Sequence, residues 1–160
     1  MNELILKKLD ANEVRASKGV VNVVETSASF VASSDKITSG AMQLPPNAVI
    51  LDCYAVVKTA LAYATATLGT RFGTAASGAQ IVALDADGLA GSGTSLAAGK
   101  GNSTDAERNT SLGGAAAVVV VADAAYSASG REIFGEVKAS TGAFTAGEVF
   151  FAVEYMVLGD

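Results

Sequence analysis

The chain has 160 residues and a formal net charge of −5, which fits one acidic domain. It contains no histidine and one cysteine, so the commonest general base and metal ligand is missing and no intrachain disulfide can form. Its 11 basic residues are scattered rather than clustered, which argues against nucleic acid and anionic membranes as partners. No apolar run approaches the roughly 18 residues of a membrane span, so we predict a soluble protein.

Residues 1–16 do not follow the strand pattern of the rest and predict an N-terminal arm or a short helix. A helix this short is only marginally stable alone in water. Its apolar side should therefore pack against the domain, a sister subunit or a larger shell. We favour an intermolecular contact. The apolar residues of this arm are the first interface candidates: Leu4, Ile5, Leu6, Leu9 and Val14.

Residues 17–160 predict a single domain that begins with two short strand candidates, at 19–25 and 29–32. Pro45 and Pro46 form a rigid entry to a long strand at 47–59. Alternation predicts Asp52 and Lys58 on one face, with the opposite face formed by Val49, Leu51, Cys53, Ala55 and Val57.

Residues 60–68 favour a further strand because Thr and Tyr occupy alternate positions, although their alanine content also suits a helix. Residues 80–84 predict either a short strand or a helical turn. A Gly/Ala/Ser-rich stretch at 85–112 predicts a long surface loop, and the β-branched run at 118–121 predicts a central strand.

The clearest strand pattern lies near the C-terminus, at 131–139 and 147–157, where apolar and charged residues alternate. The turn-rich connection between them predicts an antiparallel pair. Three large apolar residues share the outer, acidic faces of these strands, where they either pack under a second layer or contact another protein. We therefore add Phe134, Phe150 and Met156 to the interface candidates.

The seven to nine short strands predict an all-β fold: a single antiparallel β-sandwich, jelly-roll-like, with the short N-terminal arm or helix outside it. Long amphipathic helices do not alternate with the strands, which argues against a parallel α/β sheet.

No motif for chemistry is complete. Residues 85–88 begin like a calcium loop but lack the later oxygen ligands, and Gly99-Lys100 lacks the hydroxyl residue of a phosphate loop. Residues 33–36 have a Ser-x-x-Lys spacing without the companion motifs of penicillin-interacting enzymes. Cys53 has no histidine partner and is predicted to be buried. We therefore predict no catalytic, cofactor-binding or metal-binding residue, no cofactor and no enzyme.

Three stretches together carry a resemblance: Lys18-Gly19-Val20-Val21-Asn22-Val23-Val24-Glu25, Leu44-Pro45-Pro46-Asn47-Ala48-Val49-Ile50-Leu51, and Gly147-Glu148-Val149-Phe150-Phe151-Ala152-Val153-Glu154-Tyr155. In this order the chain resembles small virion structural proteins of tailed phages, of the capsid-decoration or cement type. The resemblance implies a β-sandwich that binds the major capsid protein or other virion proteins on the capsid exterior, often as a trimer, after synthesis in the host cytoplasm.

Two alternatives to capsid decoration stay open. The N-terminal segment equally suits a head–tail connector or a tail component. The second alternative is a receptor- or glycan-binding β-sandwich. Such a module would need exposed aromatic residues beside convergent polar groups, and the sequence does not display that combination.

Overall fold

A computed structural model describes residues 20–85, 88–114, 120 and 124–158. These residues form nine strands and one helix: β1 (Asn22–Ser29), β2 (Lys36–Thr38), β3 (Met42–Leu44), β4 (Ala48–Gly73), β5 (Ala90–Leu96), β6 (Gly101–Ser103), α1 (Ala106–Leu112), β7 (Tyr126–Ser127), β8 (Arg131–Ala139) and β9 (Phe144–Val157). Every strand pairing is antiparallel, which confirms the predicted all-β fold.

Strand β4 organises the sheet because β8 and β9 both pair with it. The register passes from Tyr63 opposite Phe144 in β9 to Leu68 opposite Ala139 in β8 without a shift, so β8 and β9 follow one another along the same edge. The prediction that these two strands pair with each other is therefore wrong. Their connection continues the direction of the chain, whereas a hairpin would reverse it.

The remaining strands complete the two sides of this long ladder. β7, β6 and β5 pair in turn with the other edge of β4. β1 pairs with β9, whereas β2 and β3 pair with β8.

The sheet folds over on itself. β4 has 26 residues and would extend roughly 85 Å if straight, far more than a domain of this size allows. Repeated register shifts bend it between Val57 and Leu68. We call the part around residues 48–57 of β4, with β1, β6, β7 and β9, the first half-sheet. The part around residues 68–73, with β2, β3 and β8, is the second half-sheet. A jelly-roll topology stays a prediction.

The core lies between the half-sheets, and a β-bulge decides which residues of β4 enter it. The register shifts between Ile50 and Asp52, so the alternation changes phase there. Ile50 and Cys53 are in the main core, and the predicted burial of Cys53 is confirmed. Val49 and Leu51, predicted to share the face of Cys53, instead form a small separate cluster with Met156.

The predicted loop at 85–112 is wrong, and the predictions for 1–16 and 118–121 fall mostly on residues that the structure does not describe. Residues 85–112 contain β5, β6 and α1 where the sequence predicts a long loop, because two segments of this stretch pair with the free edge of β4. Residues 1–16 and most of the predicted strand at 118–121 lie outside the described residues, although Val120 forms a bridge with Val82.

Candidate interaction face

Two carboxylates lie side by side on the outer face of the first half-sheet. Asp52 of β4 is directly opposite Glu154 of β9 in the ladder, and their exposed fractions are 0% and 8%. The bulge in β4 between Ile50 and Asp52 places Asp52 on the face opposite Ile50, away from the core. Like charges opposite one another in a sheet are destabilising, so this pair requires a compensating cation.

Arg108 supplies that cation. Its Nη1 lies 2.7 Å from Oδ2 of Asp52, and its Nη2 lies 2.5 Å from Oε1 of Glu154. The planar guanidinium thus spans the two carboxylates, a geometry that the point charge of a lysine cannot reproduce. Burial lowers the pKa of Arg108. The hydrogen bond to Glu154 and the negative charges of both carboxylates together raise this pKa by more than burial lowers it, so it lies above its usual value.

Helix α1 presents Arg108 because its first turn is fixed to the sheet. Asp105 is the N-cap residue, and its side chain accepts a hydrogen bond from the backbone N–H of Arg108 at 2.9 Å. The backbone N–H of Asp105 in turn donates to Asp52 at 3.1 Å. Gly113 closes the helix with φ of +70°, a conformation that glycine adopts without strain.

Two hydroxyl groups also donate hydrogen bonds to the carboxylate of Asp52. The hydroxyl of Ser103 lies 2.7 and 2.8 Å from its two oxygens and shares its one hydrogen between them, and Thr104 donates to Oδ1 at 2.7 Å. Together with Arg108 and the N–H of Asp105, these donors satisfy a carboxylate that would otherwise be costly to bury.

An aromatic pair adjoins the arginine. The guanidinium carbon of Arg108 lies 4.3 Å from the ring centre of Tyr54, and the ring of Tyr54 lies 6.3 Å from that of Phe150. All three side chains are half-buried, so each keeps an accessible surface. Arginine and tyrosine are among the residues that contribute most to protein–protein binding. We call Tyr54, Arg108 and Phe150 the interaction face.

A second buried carboxylate stabilises the other half-sheet. Glu136 of β8 is 1% exposed and forms a cross-strand ion pair with Arg71 of β4. Ser77 and Thr38 donate hydroxyl hydrogen bonds to it at 2.5 and 3.1 Å. Lys36 donates to the hydroxyl of Ser77 at 2.9 Å and completes the group.

The predicted interface residues are not brought together. Phe150 belongs to the interaction face on the first half-sheet, whereas Phe134 is half-buried on the outer side of the second. Met156 is 7% exposed and packs with Val49 and Leu51. The five arm candidates, Leu4, Ile5, Leu6, Leu9 and Val14, lie outside the described residues.

Sequence reasoning missed Asp52 and Arg108 as a pair. It placed Asp52 on the face opposite Cys53, without a partner named for it, and Arg108 in a loop. Asp105 as an N-cap residue with the acidic Glu107 in the first turn was the available signal for a helix start, although not for the contact of that helix with β4.

Within the described part of the chain, no group of three or more Cys, Asp or Glu side chains is arranged to hold a metal ion. No helix there is long and apolar enough to cross a membrane.

No protein-family model and no curated protein matches this sequence. Two solved structures are similar to it. The capsid asymmetric unit of cyanophage Pam1 aligns with a TM-score of 0.46 and 19% identity, over 88% of this chain and 86% of that one. The capsid of Ralstonia phage GP4 aligns with a TM-score of 0.42 and 18% identity, over 89% and 87%. Both are phage capsid structures. With TM-scores under 0.5, the two similarities assign neither a fold nor a function to this chain.

Proposed function

We propose that this chain is a non-enzymatic structural protein of a phage virion that binds the outside of the capsid shell and stabilises it as a decoration or cement protein. The resemblance of its sequence to such proteins supports the phage assignment. The interaction face supports a role in protein binding. The partners are the major capsid protein or other virion proteins, and the chain acts as a homo-oligomer; a trimer is what the sequence resemblance alone implies.

The observation that carries the binding role is the construction of the interaction face. Arg108 is held at 2.7 and 2.5 Å by two buried carboxylates, and its own side chain remains 32% exposed. A rotamer that is already fixed loses little entropy when a partner binds, so such a side chain favours tight contact. The aromatic rings of Tyr54 and Phe150 extend the same rigid surface.

The buried charges also support a non-enzymatic role. Asp52 accepts hydrogen bonds from Arg108, Ser103 and Thr104, and Glu136 accepts them from Arg71 and Ser77. A general base needs a position from which it can reach a substrate proton, and carboxylates surrounded by donors in this way serve packing better than proton transfer. The sequence contains no histidine to replace them.

An exterior position fits the charge. A net charge of −5 disfavours contact with packaged DNA, because phosphate binding requires local positive charge. An outer-surface protein avoids that repulsion.

The experiment is to add the purified full chain to phage particles that lack it and to image the particles by electron cryomicroscopy. We expect density repeated over the whole shell lattice. Density at a single vertex would instead indicate a connector or tail component, and no bound protein would overturn the virion role.

Three variants identify the contact. We expect Phe150→Ala to weaken particle binding by roughly tenfold or more, as for a residue at the centre of an interface. Phe134→Ala tests the outer side of the second half-sheet in the same way, so unequal losses show which half-sheet contacts the shell. Leu84→Ala, which truncates an apolar side chain that is 37% exposed elsewhere, is the matched control.

A further inference from the structure

Strand β1 lies at the edge of the sheet. Its eight residues pair with β9 on one side, and among the described residues no strand pairs with its other side. The other edge strands are shorter or less regular: β2 and β3 have three residues each, and the pairing of β5 with β4 contains register shifts. β1 therefore offers the longest regular ladder available to another strand.

The register shows which backbone groups of β1 face outward. The N–H of Phe30 donates to the carbonyl oxygen of Gly147 at 3.0 Å, immediately beyond the pair formed by Ser29 and Glu148. In an antiparallel pair such bonds occur at every second residue, so the even-numbered residues of β1 bond to β9. The N–H and C=O groups that point to the free edge belong to Val23, Glu25, Ser27 and Ser29.

This edge has none of the features that usually prevent strand pairing. Residues 20–31 contain no lysine, arginine or proline, and the register with β9 is unbroken. Glu25 is the single charged residue there, in a chain whose net charge is −5. At the two ends of the strand, Val20 and Val31 are 75% and 66% exposed. An edge that is regular, nearly uncharged and flanked by exposed valines is suited to a partner strand.

We propose that β1 pairs with β1 of a second copy, antiparallel and about a two-fold axis, so that the sheet continues from one protomer into the next. The two-fold axis passes by Thr26. Glu25 then lies opposite Ser27 of the partner subunit, and Val23 opposite Ser29 of the partner subunit. This register uses every outward-facing residue of β1, and it brings Val21 to the exposed Val31 of the partner subunit.

Charge excludes the neighbouring register. A pairing centred on Glu25 would place two glutamates directly opposite one another, which is destabilising. The proposed pairing places a serine hydroxyl opposite each glutamate instead. An isologous contact of this kind closes after two copies and does not extend into a fibre.

The dimer is independent of the proposed virion role, because it concerns free protein and not particle binding. It also differs from the trimer that the sequence resemblance implies, and the two are distinguished by mass.

The test compares two substitutions at one position by sedimentation equilibrium of the full chain. Proline at position 27 removes an outward N–H and leaves the bonds between β1 and β9 in place, whereas alanine keeps that N–H. We expect the native chain and Ser27→Ala to be dimers, and Ser27→Pro to be a monomer with unchanged far-ultraviolet circular dichroism. A monomeric native chain, or an oligomer that persists in Ser27→Pro, would overturn the inference.

A crosslinking experiment tests the register without proline. In the proposed ladder the Cα atoms of residue 25 and residue 27 of the partner subunit are about 5.5 Å apart, within reach of a disulfide. Two copies of residue 25 are about 7–8 Å apart, which is too far. We expect Glu25→Cys chains mixed with Ser27→Cys chains to form covalent dimers on oxidation, and neither chain to do so alone. Cys53 is 0% exposed and does not interfere. Equal crosslinking in the unmixed samples, or none in the mixture, would contradict the proposed pairing.

Discussion

The rings of Phe72 and Phe151 meet edge to face, with 6.2 Å between their centres and an angle of 78° between their planes. Phe151 pairs in its ladder with Ala55, and Ala55 and Phe72 would be roughly 55 Å apart if β4 were straight. The contact therefore joins the two half-sheets across the core. A Cβ atom at Gly135 would clash with the ring of Phe151, so glycine is required where the rings approach β8.

Truncating this contact should destabilise the fold strongly. Both rings are 0% exposed, and removing a buried phenylalanine side chain costs about 3–5 kcal/mol. We expect Phe72→Ala to lower the free energy of unfolding by that amount in urea titrations. The control is Phe150→Ala, which removes the same atoms from a half-buried site and should cost clearly less. Equal losses in the two variants would contradict the folded-over sheet.

Replacing Arg108 should destabilise the protein because two carboxylates lose their shared cation. Breaking a buried ion pair costs on the order of 3–5 kcal/mol, and the partial exposure of Arg108 places its replacement by methionine toward the lower end. We expect the free energy of unfolding of Arg108→Met to fall by about 3 kcal/mol.

The control is Lys58→Met, which breaks the pair between Lys58 and Glu148. Those side chains are 56% and 26% exposed, so we expect a loss of about 1 kcal/mol or less. A double-mutant cycle with Asp52→Asn measures the coupling. A cycle that gives no coupling between residues 52 and 108 would show that the arginine does not hold the helix to the sheet.

Sequence alternation predicted the strands well where one face is buried and the other is not. β8, β9 and the first part of β4 lie where alternation predicted strands, and Cys53 is buried as predicted, but residues 48–53 of β4 are buried on both faces. Alternation does not encode which strands pair. The segment between β8 and β9, with Gly142 at φ +70°, has the composition of a hairpin turn although it continues one ladder.

The missed site has a similar cause. Alternation places Asp52 on the face away from Cys53, where it lies, but a helix more than fifty residues later in the chain covers its carboxylate. Periodicity within one strand does not detect a long-range contact of this kind. Of the interaction face, the sequence therefore named Phe150 and neither Tyr54 nor Arg108.

The thiol of Cys53 should be unreactive in the native protein. Burial raises its pKa well above the usual value, and the negative charge of Asp52 raises it further. Because the thiolate is the reacting form, we expect no labelling by a thiol reagent at about pH 8 and one label per chain after denaturation. Fast labelling of the native protein would show that position 53 does not face the core.

The same raised pKa predicts a pH dependence of stability. In the unfolded chain the thiol ionises near its ordinary pKa of 9.0, whereas in the folded protein it stays protonated above that pH. The contribution of Cys53 is thus fully present below that pH and is lost as pH rises toward the folded pKa, by up to about 1.4 kcal/mol per pH unit. We expect Cys53→Ala to lose less stability than the native chain between pH 8 and pH 10. Parallel curves for the two proteins would contradict a buried, protonated thiol.

Deleting residues 1–16 should separate folding from binding. In the described part of the chain, the buried apolar core begins at Ile37, and the two half-sheets cover it from both sides. We therefore expect the shortened chain to keep its far-ultraviolet circular dichroism and its cooperative unfolding. The apolar residues of the arm need a contact to offset their exposure to water, and we predict that this contact is intermolecular. Binding to phage particles should then weaken clearly.

A full-length variant with serine in place of Leu4, Leu6 and Leu9 is the matched control for the deletion, because it removes the apolar contacts and keeps the length of the arm. If binding depends on those side chains, the substituted and the shortened chains should lose affinity equally. A shortened chain that fails to fold would instead show that the arm belongs to the core of the domain, because the half-sheets would then be unable to close without it.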